Sequence, residues 1–304
     1  MNDPSAPSLV TAVQSDVAWA SEKPRSLWMD SIYRLSRNPG SIAGAIILTA
    51  LIVAVILAPF ITQYNPIEIT PKERLKPPST VHWMGTDSFG RDIFTRVLYG
   101  GQISLRVGII AVLIALLVGL PMGLMAGFYG GRFDTLLMRV VDIMLSFPGI
   151  LLALVVIAIL GPSLTNVMVA VGIAAVPTYA RVARGSVLKI KEEMFAEAAL
   201  LLGCSNRRIM FVHIFPNILG PIIVIATLGV AGAIISGAAL SFLGLGATPP
   251  TPEWGLMLSE GRNYLRQAWW ISTFPGLAIM VTVLSINLLG DGLRDAFDPR
   301  MKIN

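Results

Sequence analysis

The sequence predicts an all-α integral membrane protein with six transmembrane helices and both termini on the cytoplasmic side. The first observation is composition: of 304 residues, 54% are hydrophobic and only 13% are charged, with a mean hydropathy of +0.71, whereas about 25% of residues in a soluble domain are charged. The second observation is where the charges fall. Five stretches of 24 residues or more contain no Asp, Glu, Lys or Arg: 38–67, 107–131, 143–180, 209–252 and 267–290.

Each charge-free stretch can cross a bilayer, because about 20 apolar residues in a helix span the hydrocarbon core. Stretch 143–180 is long enough for two crossings and carries the turn signal Gly161-Pro162-Ser163 near its middle, so it predicts two spans. The alternation of apolar and polar residues that is typical of a membrane β-barrel is absent from the sequence. The six predicted spans are 41–61, 107–128, 143–160, 164–179, 218–240 and 271–289.

The Lys and Arg residues predict the orientation, because cytoplasmic loops are enriched in them. With a cytoplasmic N-terminus, the inner segments hold 15 of these residues and the outer segments hold eight. The pI near 9.6 then reflects the basic inner face, and no nucleic acid is expected as a partner. The predicted organisation begins with a cytoplasmic tail 1–39, which contains a basic amphipathic segment 31–37. A first span 40–62 and an outer loop 63–105 with an interfacial helix follow. The core 106–290 has five spans and contains an inner loop 181–217 and an outer loop 243–270, and the C-terminus 291–304 is cytoplasmic.

The inner loop 181–217 has apolar residues at helical spacing, which is unusual for a connector. Its segment 189–217 reads KIKEEMFAEAALLLGCSNRRIMFVHIFPN. Gly203 is expected to end a first helix, and Ser205 and Pro216 are expected to begin and close a second one before the fifth span. The apolar face of the first helix is predicted to contain Met194, Phe195, Ala198, Leu201 and Leu202.

Two glutamates, Glu193 and Glu197, lie four residues apart on this first helix. A like-charge pair at this spacing is destabilising by itself, and a basic partner would relieve it. The small Ala198 and Ala199 beside Glu197 leave room for close approach. From the residues alone, a helix that binds a protein partner and a helix that lies on the lipid headgroups are equally good interpretations.

The same segment resembles the EAA loop of ABC importer permeases, in which E-A-A is followed after three residues by G and after nine more by I-x-L-P. Residues 197–199, Gly203 and Pro216 match this pattern, whereas His213 and Phe215 depart from it. The resemblance implies that the loop forms a coupling helix that docks on a cytoplasmic ATPase, where Glu197 would meet a basic residue. The residues assigned to this coupling site are Glu193, Glu197, Ala198, Ala199, Gly203, Arg207 and Pro216.

A second motif follows the first span, where residues 82–105 read HWMGTDSFGRDIFTRVLYGGQISL. Thr86 or Asp87 can cap a short helix that lies flat on the outer membrane surface. Asp92 and Arg96 are spaced for an i,i+4 ion pair on that helix. The residues alone therefore predict structural roles for these charged side chains.

This second motif resembles the G-T-D-x-x-G-R-D-x-x-x-R signature of the DppC/OppC-type subunit of dipeptide and oligopeptide ABC importers. Three further stretches agree with the same family: SFLGLGATPPTPEWGLML from Ser241, FPG from Phe274 and GDGLRDAFDP from Gly290. Trp269 and Trp270 end the second outer loop and are typical of an interfacial aromatic belt. The candidates for the outer interface or for docking of a binding protein are Asp87, Arg91, Asp92, Arg96, Glu253 and Trp254.

The resemblance implies a permease subunit of a type I ABC importer in the bacterial inner membrane, with di- or oligopeptides as cargo and alternating access as the mechanism. The implied partners are a second homologous permease subunit, two ABC ATPase subunits and an extracytoplasmic substrate-binding protein, all within or beside membrane lipid. No Gly-Lys pair occurs in the sequence, so the phosphate-binding loop of an ATPase is missing. The chain is therefore predicted to be no enzyme and to bind no cofactor, with ATP and Mg²⁺ held by the partner ATPases.

Alternatives remain for both the transport class and the cargo. A stand-alone secondary transporter or channel would need ionisable residues at mid-membrane, and none lies deep in a predicted span. Similar systems carry glutathione, nickel or oligosaccharides, so these stay open as cargoes. Ser236, Ser285 and Asn287 are candidates for lining the path, although such residues also form hydrogen bonds between packed helices.

Overall fold

The computed structural model describes Tyr33 and residues 35–297, and its regular elements are helices. Most of the predicted N-terminal tail, including three of the seven residues of its amphipathic segment, and residues 298–304 lie outside the described residues. Single turns of 3₁₀-helix occur at Pro71–Glu73 and Arg262–Tyr264. The helices are α1 Pro39–Ile56, α2 Ala58–Ile61, α3 Ile93–Tyr129, α4 Gly131–Leu145, α5 Gly149–Leu160, α6 Leu164–Lys191, α7 Met194–Leu201, α8 Asn206–Phe242, α9 Trp254–Gly261 and α10 Trp270–Phe297.

Five helices among the described residues are long and apolar enough to cross a membrane: α1, α3, α6, α8 and α10. The predicted span 143–160 is not one straight helix, because α4 and α5 meet at an angle of 92°. Pro148 explains this break, since proline has no N–H group and disfavours helical backbone at Phe147. The 12 residues of α5 extend over about 18 Å, which is shorter than the hydrocarbon core of about 30 Å.

The long helices extend beyond the predicted spans at several ends. α3 begins at Ile93 rather than near 107, and α6 continues to Lys191 rather than ending near 179. A charge-free stretch marks the part of a helix that lipid tolerates, whereas the helix itself continues into water. The predicted turn between the third and fourth spans is confirmed: Gly161 has a φ of +86°, and the Ser163 hydroxyl accepts the N–H of Asn166 at 3.1 Å.

Pro216 does not close a helix before the fifth span, which corrects the prediction. α8 is continuous and consists of a first turn Asn206–Arg208, a π-helical stretch Ile209–Ile214 and an α-helix Phe215–Phe242. In the π-helical stretch the Phe215 N–H donates to the carbonyl of Met210, five residues back. This wider turn gives the proline ring space, and a proline in the first turn of the following α-helix needs no N–H partner.

The core of the protein lies where α3 packs along α6. Gly119, Gly123 and Gly127 are spaced four residues apart and form one small-residue face of α3. A Cβ atom at Gly123 would collide with the carbonyl oxygen of Ala180 on α6. The two backbones therefore approach closely along this face, as in other small-xxx-small helix contacts in membranes.

α10 connects α1 to this core. A Cβ atom at Gly44 of α1 would lie 2.8 Å from the carbonyl oxygen of Ser285 on α10, so α1 also packs through a small residue. Most other side chains of α1 are exposed, including Ile46 at 64%. The first span is thus a peripheral helix, and one face of α1 packs on α10.

Candidate functional site

Four charged side chains meet at the outer end of the helix bundle, the end that the sequence predicts to face away from the cytoplasm. They come from three parts of the chain, and we call them the outer cluster: Asp87, Arg91, Arg96 and Glu260. Arg91 Nε lies 2.5 Å from Asp87 Oδ2, and Arg91 Nη2 lies 2.8 Å from Glu260 Oε2. Arg96 Nη2 lies 3.1 Å from the same Glu260 oxygen, and Arg96 Nε lies 3.6 Å from Asp87 Oδ2. Two guanidinium groups and two carboxylates balance in charge, as burial requires.

Arg96 is the centre of this arrangement, with a side chain that is 0% exposed. Its Nη1 group donates to the carbonyl oxygens of Pro66 at 3.0 Å and Pro250 at 3.1 Å. One side chain on the first turn of α3 therefore holds both predicted outer loops. We call the resulting unit, residues 62–96 with 247–270, the outer platform.

The turn from Asp87 to Arg91 is shaped to present the outer cluster. Asp87 Oδ1 accepts the N–H groups of Phe89 at 2.8 Å and Arg91 at 3.0 Å. Gly90 has a φ of +79°, and a side chain there would collide with the carbonyl oxygen of Thr70. Glycine is therefore required at this position on two grounds, its backbone conformation and the lack of space.

Asp92 is the N-cap of α3 and does not pair with Arg96, which corrects the predicted i,i+4 ion pair. Its Oδ2 atom accepts the Thr95 N–H at 2.8 Å and the Thr95 hydroxyl at 2.7 Å. Its Oδ1 atom lies 2.9 Å from His82 Nδ1. A carboxylate at a cap position faces the free N–H groups of the first turn, while the longer arginine side chain extends to the loops.

The predicted flat interfacial helix is also wrong, because Thr86 and Asp87 lie in a loop and α3 continues from Ile93 into the membrane.

Glu253 and Trp254 attach α9 to the wall of α3. Glu253 is the buried N-cap of α9 and accepts the N–H groups of Gly255 at 3.0 Å and Leu256 at 2.8 Å. Burial raises the pKa of the Glu253 carboxyl, although these hydrogen bonds act in the opposite direction. Trp254 Nε1 donates to the carbonyl oxygen of Val97 at 2.9 Å.

The six outer candidates are buried rather than displayed. Each has a relative exposure of 4% or less: Asp87, Arg91, Asp92, Arg96, Glu253 and Trp254. Their side chains cannot contact a docked protein directly, so the structure corrects that assignment and makes them the internal framework of the outer platform. Trp270 is also buried, with its Nε1 donating to the Thr86 carbonyl at 3.1 Å, whereas Trp269 is 51% exposed.

The opposite end of the bundle carries α7 between the ends of α6 and α8. α7 begins after Glu193 and ends before Gly203, whose φ of +76° suits the turn that follows the helix. The Ser205 hydroxyl accepts the Arg208 N–H at 3.4 Å and caps the start of α8. The two helices that the sequence predicts here are present, with the second continuing into the fifth span.

α7 turns its small residues inward and its large apolar residues outward. Ala196 and Ala199 are buried, whereas Met194, Leu201 and Leu202 are 86%, 87% and 84% exposed. The exposed members of the coupling-site assignment are Glu193, Glu197, Ala198, Gly203, Arg207 and Pro216, while Ala199 is buried. Three large apolar side chains beside two carboxylates form a surface that is suited to a protein partner.

The three candidates for a transport path lie in different surroundings. Ser285 is 1% exposed and donates to the Val281 carbonyl of its own helix at 2.7 Å. It lies where α1 packs on α10, so its assignment to the path is wrong. Ser236 on α8 and Asn287 on α10 are half-buried.

Comparison with known proteins decides the family. Residues 119–303 match the model of the binding-protein-dependent transport system inner membrane component, and residues 26–78 match the N-terminal TM domain of oligopeptide transport permease C. The chain belongs to this family of transport permeases. The permease is 51% identical to the dipeptide transport system permease protein DppC of Alkalihalophilus pseudofirmus over 91% of each chain. It is 47% identical to the glutathione transport system permease protein GsiD of Escherichia coli over 91% of this chain and 92% of the relative.

A solved structure supports the fold of the permease. The inward-facing MetNI methionine ABC transporter matches it with a TM-score of 0.56 and 19% identity, over 67% of this chain and 97% of that one. This likeness supports the type I ABC importer permease fold. The family match and the apolar helices make the permease a multi-pass inner membrane protein. Membership of this family implies ATPase and substrate-binding partners.

Sequence reasoning missed two functional groups of the permease's outer platform, His82 and Glu260. Glu260 lies seven residues after Glu253, which is two turns along the same face of α9, and this spacing was the available signal. His82 lies only three residues from the second motif's Gly85 and carries no pattern of its own. Its contact with Asp92 depends on the fold of the loop between them.

Proposed function

We propose that this permease and a second homologous permease subunit form the membrane path of an ATP-driven importer of di- and oligopeptides. The observation that supports a peptide cargo is the 51% identity to a dipeptide permease over 91% of both chains. Glutathione is the second candidate, because a glutathione permease is 47% identical over a similar length. No comparable observation favours nickel or an oligosaccharide.

The cytoplasmic contact of the proposed importer is α7 with its flanking residues. Exposed Met194, Leu201 and Leu202 supply apolar area, and Glu193 and Glu197 supply negative charge for a basic groove on an ATPase subunit. Ala198 leaves room for close approach, and exposed Arg207 follows at the start of α8. This orientation agrees with the excess of Lys and Arg in the segments that would face the cytoplasm. ATP and Mg²⁺ belong to the ATPase partner in this proposal, and this chain holds no cofactor.

The second permease subunit is proposed to cover the bend between α4 and α5. Non-helical backbone at membrane depth is tolerated only where protein or a water-filled cavity surrounds it, and residues 146–148 are exposed in the single chain. Large apolar side chains on both sides of the bend are exposed as well, including Ile143 at 64% and Val155 at 54%. Ser236 and Asn287 are proposed to line the path between the two subunits.

The outer platform is proposed to receive the substrate-binding protein. The hydrogen bonds from Arg96 to the Pro66 and Pro250 carbonyls fix the two outer loops to the first turn of α3, so a docked protein meets a preformed surface. Closure of the ATPases moves α7, and the long helices α6 and α8 on either side of α7 carry that movement through the membrane. The path then opens alternately to the two sides while the chain itself performs no covalent chemistry.

Uptake assays on the complete transport complex test the coupling site. Glu197→Lys and Gly203→Pro are expected to abolish uptake of a labelled dipeptide and to reduce co-purification of the ATPase subunits, while membrane insertion is unchanged. The charge reversal Glu68→Lys, at an exposed carboxylate of the outer loop, is the matched control for co-purification. Normal uptake by both Glu197→Lys and Gly203→Pro would refute the coupling proposal.

A second pair of measurements tests the transport class and the cargo. Proteoliposomes that contain the permease subunits without ATPases are expected to show no uptake, and uptake without them would make the protein a secondary transporter. Competition between a labelled dipeptide and unlabelled glutathione compares the two cargoes. Displacement by other dipeptides but not by glutathione supports the peptide assignment, and the reverse supports glutathione.

A further inference from the structure

A cavity of about 390 Å³ opens at the outer end of the first span. Its walls come from the residues that follow α2, from residues 80–83 of the outer loop and from the first turn of α3. The cavity lies beside Ile61 and near Phe60, which is 85% exposed at the end of the apolar helix. Its volume falls in the range of small-molecule sites, and its position places it at the boundary between lipid and water.

Three aromatic side chains form the walls of this cavity: Tyr64, Trp83 and Phe94. The rings of Trp83 and Phe94 are 4.9 Å apart and tilted by 49°. The Tyr64 hydroxyl donates to the Val81 carbonyl at 3.2 Å, which holds the tyrosine ring across the loop. Aromatic faces arranged around a space attract organic cations through the ring quadrupole.

The polar wall of the cavity is Asp92, whose side chain is 3% exposed. Its two oxygens accept three hydrogen bonds, of which two come from Thr95 and one comes from the His82 ring. A carboxylate offers about four acceptor positions, so one remains for a ligand. A buried carboxylate with a free acceptor position favours a positively charged group beside it.

A second cavity of about 230 Å³ adjoins the first and shares Tyr64, Val81 and Asp92 with it. It adds two carboxylates, Glu68 and Glu73, and the imidazole of His82. Glu73 pairs with Lys76 at 2.5 Å, and His82 Nε2 lies 3.6 Å from the same Glu73 oxygen. Three carboxylates thus lie beside one lysine and one histidine, so this region carries an excess of negative charge.

We propose that the larger cavity binds an organic ammonium group, with the cation between the aromatic faces and Asp92 as its hydrogen-bond acceptor. Two molecules beside this membrane protein carry such a group. One is the ethanolamine headgroup of a phospholipid, which fits the position of the cavity at the end of the first span. The other is the free α-amino group of a small peptide that approaches from the aqueous side.

Native mass spectrometry of the full-length protein in mild detergent tests the proposal. Retention of lysophosphatidylethanolamine is compared with that of lysophosphatidylglycerol of the same chain length, and binding of Ala-Ala is compared with that of N-acetyl-Ala-Ala. The wild type is expected to prefer the ligand with the ammonium group in at least one of these pairs. Preference within the lipid pair identifies a headgroup as the source, and preference within the peptide pair identifies a peptide amine.

Two variants connect this preference to the cavity. Trp83→Ala removes an aromatic wall that is 64% exposed, and it is expected to weaken binding about two- to fivefold. Asp92→Asn keeps a good N-cap residue for α3 but removes the negative charge, and a loss on the order of tenfold is expected. Trp269→Ala, at an exposed tryptophan of the other outer loop, is the control and is expected to bind like the wild type.

Two results would overturn the ammonium site. One is equal binding within both pairs of ligands by the wild-type protein. The other is a preference for the ammonium ligand that persists in full in both Trp83→Ala and Asp92→Asn, because the preference would then arise elsewhere on the protein.

Discussion

The guanidinium group of Arg96 and the carboxylate of Glu260 lie 3.1 Å apart, although 164 residues separate them in the chain. Arg96 belongs to the first turn of α3, and Glu260 lies at the end of α9, shortly before α10 begins. This contact therefore joins the outer ends of two long helices through the outer platform. A tilt of α3 relative to α10 must either move the platform as a unit or break the pair.

Removal of one partner of this pair is expected to destabilise the protein strongly. Glu260→Gln leaves Arg91 and Arg96 without their shared carboxylate in a buried site, and such a loss typically costs about 3–5 kcal/mol. The melting temperature of the detergent-solubilised protein measures the effect. Arg266→Gln, at an exposed arginine of the same loop, is the control and should melt like the wild type.

A double-mutant cycle refines this prediction. Arg96→Gln and Glu260→Gln are expected to cost less together than the sum of their separate effects, because the second change removes a group that the first has already left unpaired. Additive effects would mean that the two side chains stabilise the fold through separate contacts rather than through each other.

Sequence patterns could identify Asp87, Arg91 and Arg96 of the outer cluster, but neither Glu260 nor the contacts that these side chains make. Asp92 and Arg96 fit an i,i+4 pair, which is the local contact that helical spacing reveals. The actual partner of Arg96 is 164 residues away and the actual contact of Asp92 is His82 in a preceding loop. Both depend on how two loops fold over the start of α3, and no periodic pattern encodes that arrangement.

The spans were predictable for a different reason. Absence of charge is a property of each stretch by itself, so the stretches that became α1, α3, α6, α8 and α10 could be found without knowledge of their neighbours. The bend between α4 and α5 was missed because a charge-free stretch shows where lipid is tolerated but not where the helix axis turns. The Ser146-Phe147-Pro148 sequence was the local signal for that bend.

The close contact between α3 and α6 predicts the effect of a larger residue at Gly123. Gly123→Val places a side chain against the Ala180 carbonyl and the Ala183 side chain, and overpacking of this kind costs about 1–3 kcal/mol. Gly185→Val is the matched control, because Gly185 lies in α6 with no neighbour within 4 Å of its missing side chain. Thermal unfolding should separate the two variants, and equal melting temperatures would contradict the close packing of this face.

The buried N-cap of α9 predicts a pH dependence of stability. Burial raises the pKa of Glu253 above its ordinary value of 4.5, so the folded protein holds this proton more tightly than the unfolded chain. The resulting stabilisation is full below that ordinary value and is lost as the pH rises through the raised pKa. Glu253→Gln cannot ionise, so the melting temperature of the wild type minus that of the variant is expected to fall from pH 4 toward neutrality.

Glu68→Gln, at an exposed carboxylate of the outer loop, is the matched control, and its melting temperature is measured over the same pH range. A difference between wild type and Glu253→Gln that stays constant with pH, or grows as the pH rises, would contradict a raised pKa for Glu253.

The proposed orientation predicts which ends of the molecule react with an impermeant thiol reagent. Cys204 is the only cysteine of the sequence, so Cys204→Ser gives a background for single cysteines. Trp83→Cys and Leu201→Cys replace side chains that are 64% and 87% exposed at opposite ends of the bundle. In cells that lack the ATPase subunits, a maleimide added from outside is expected to label Trp83→Cys directly and Leu201→Cys only after permeabilisation.

The control for this labelling is Ala115→Cys, at a fully buried position, which should stay unlabelled in both conditions. The reverse pattern would place α7 outside the cell, where no ATPase could contact Glu197, and would refute both the orientation and the coupling role of α7.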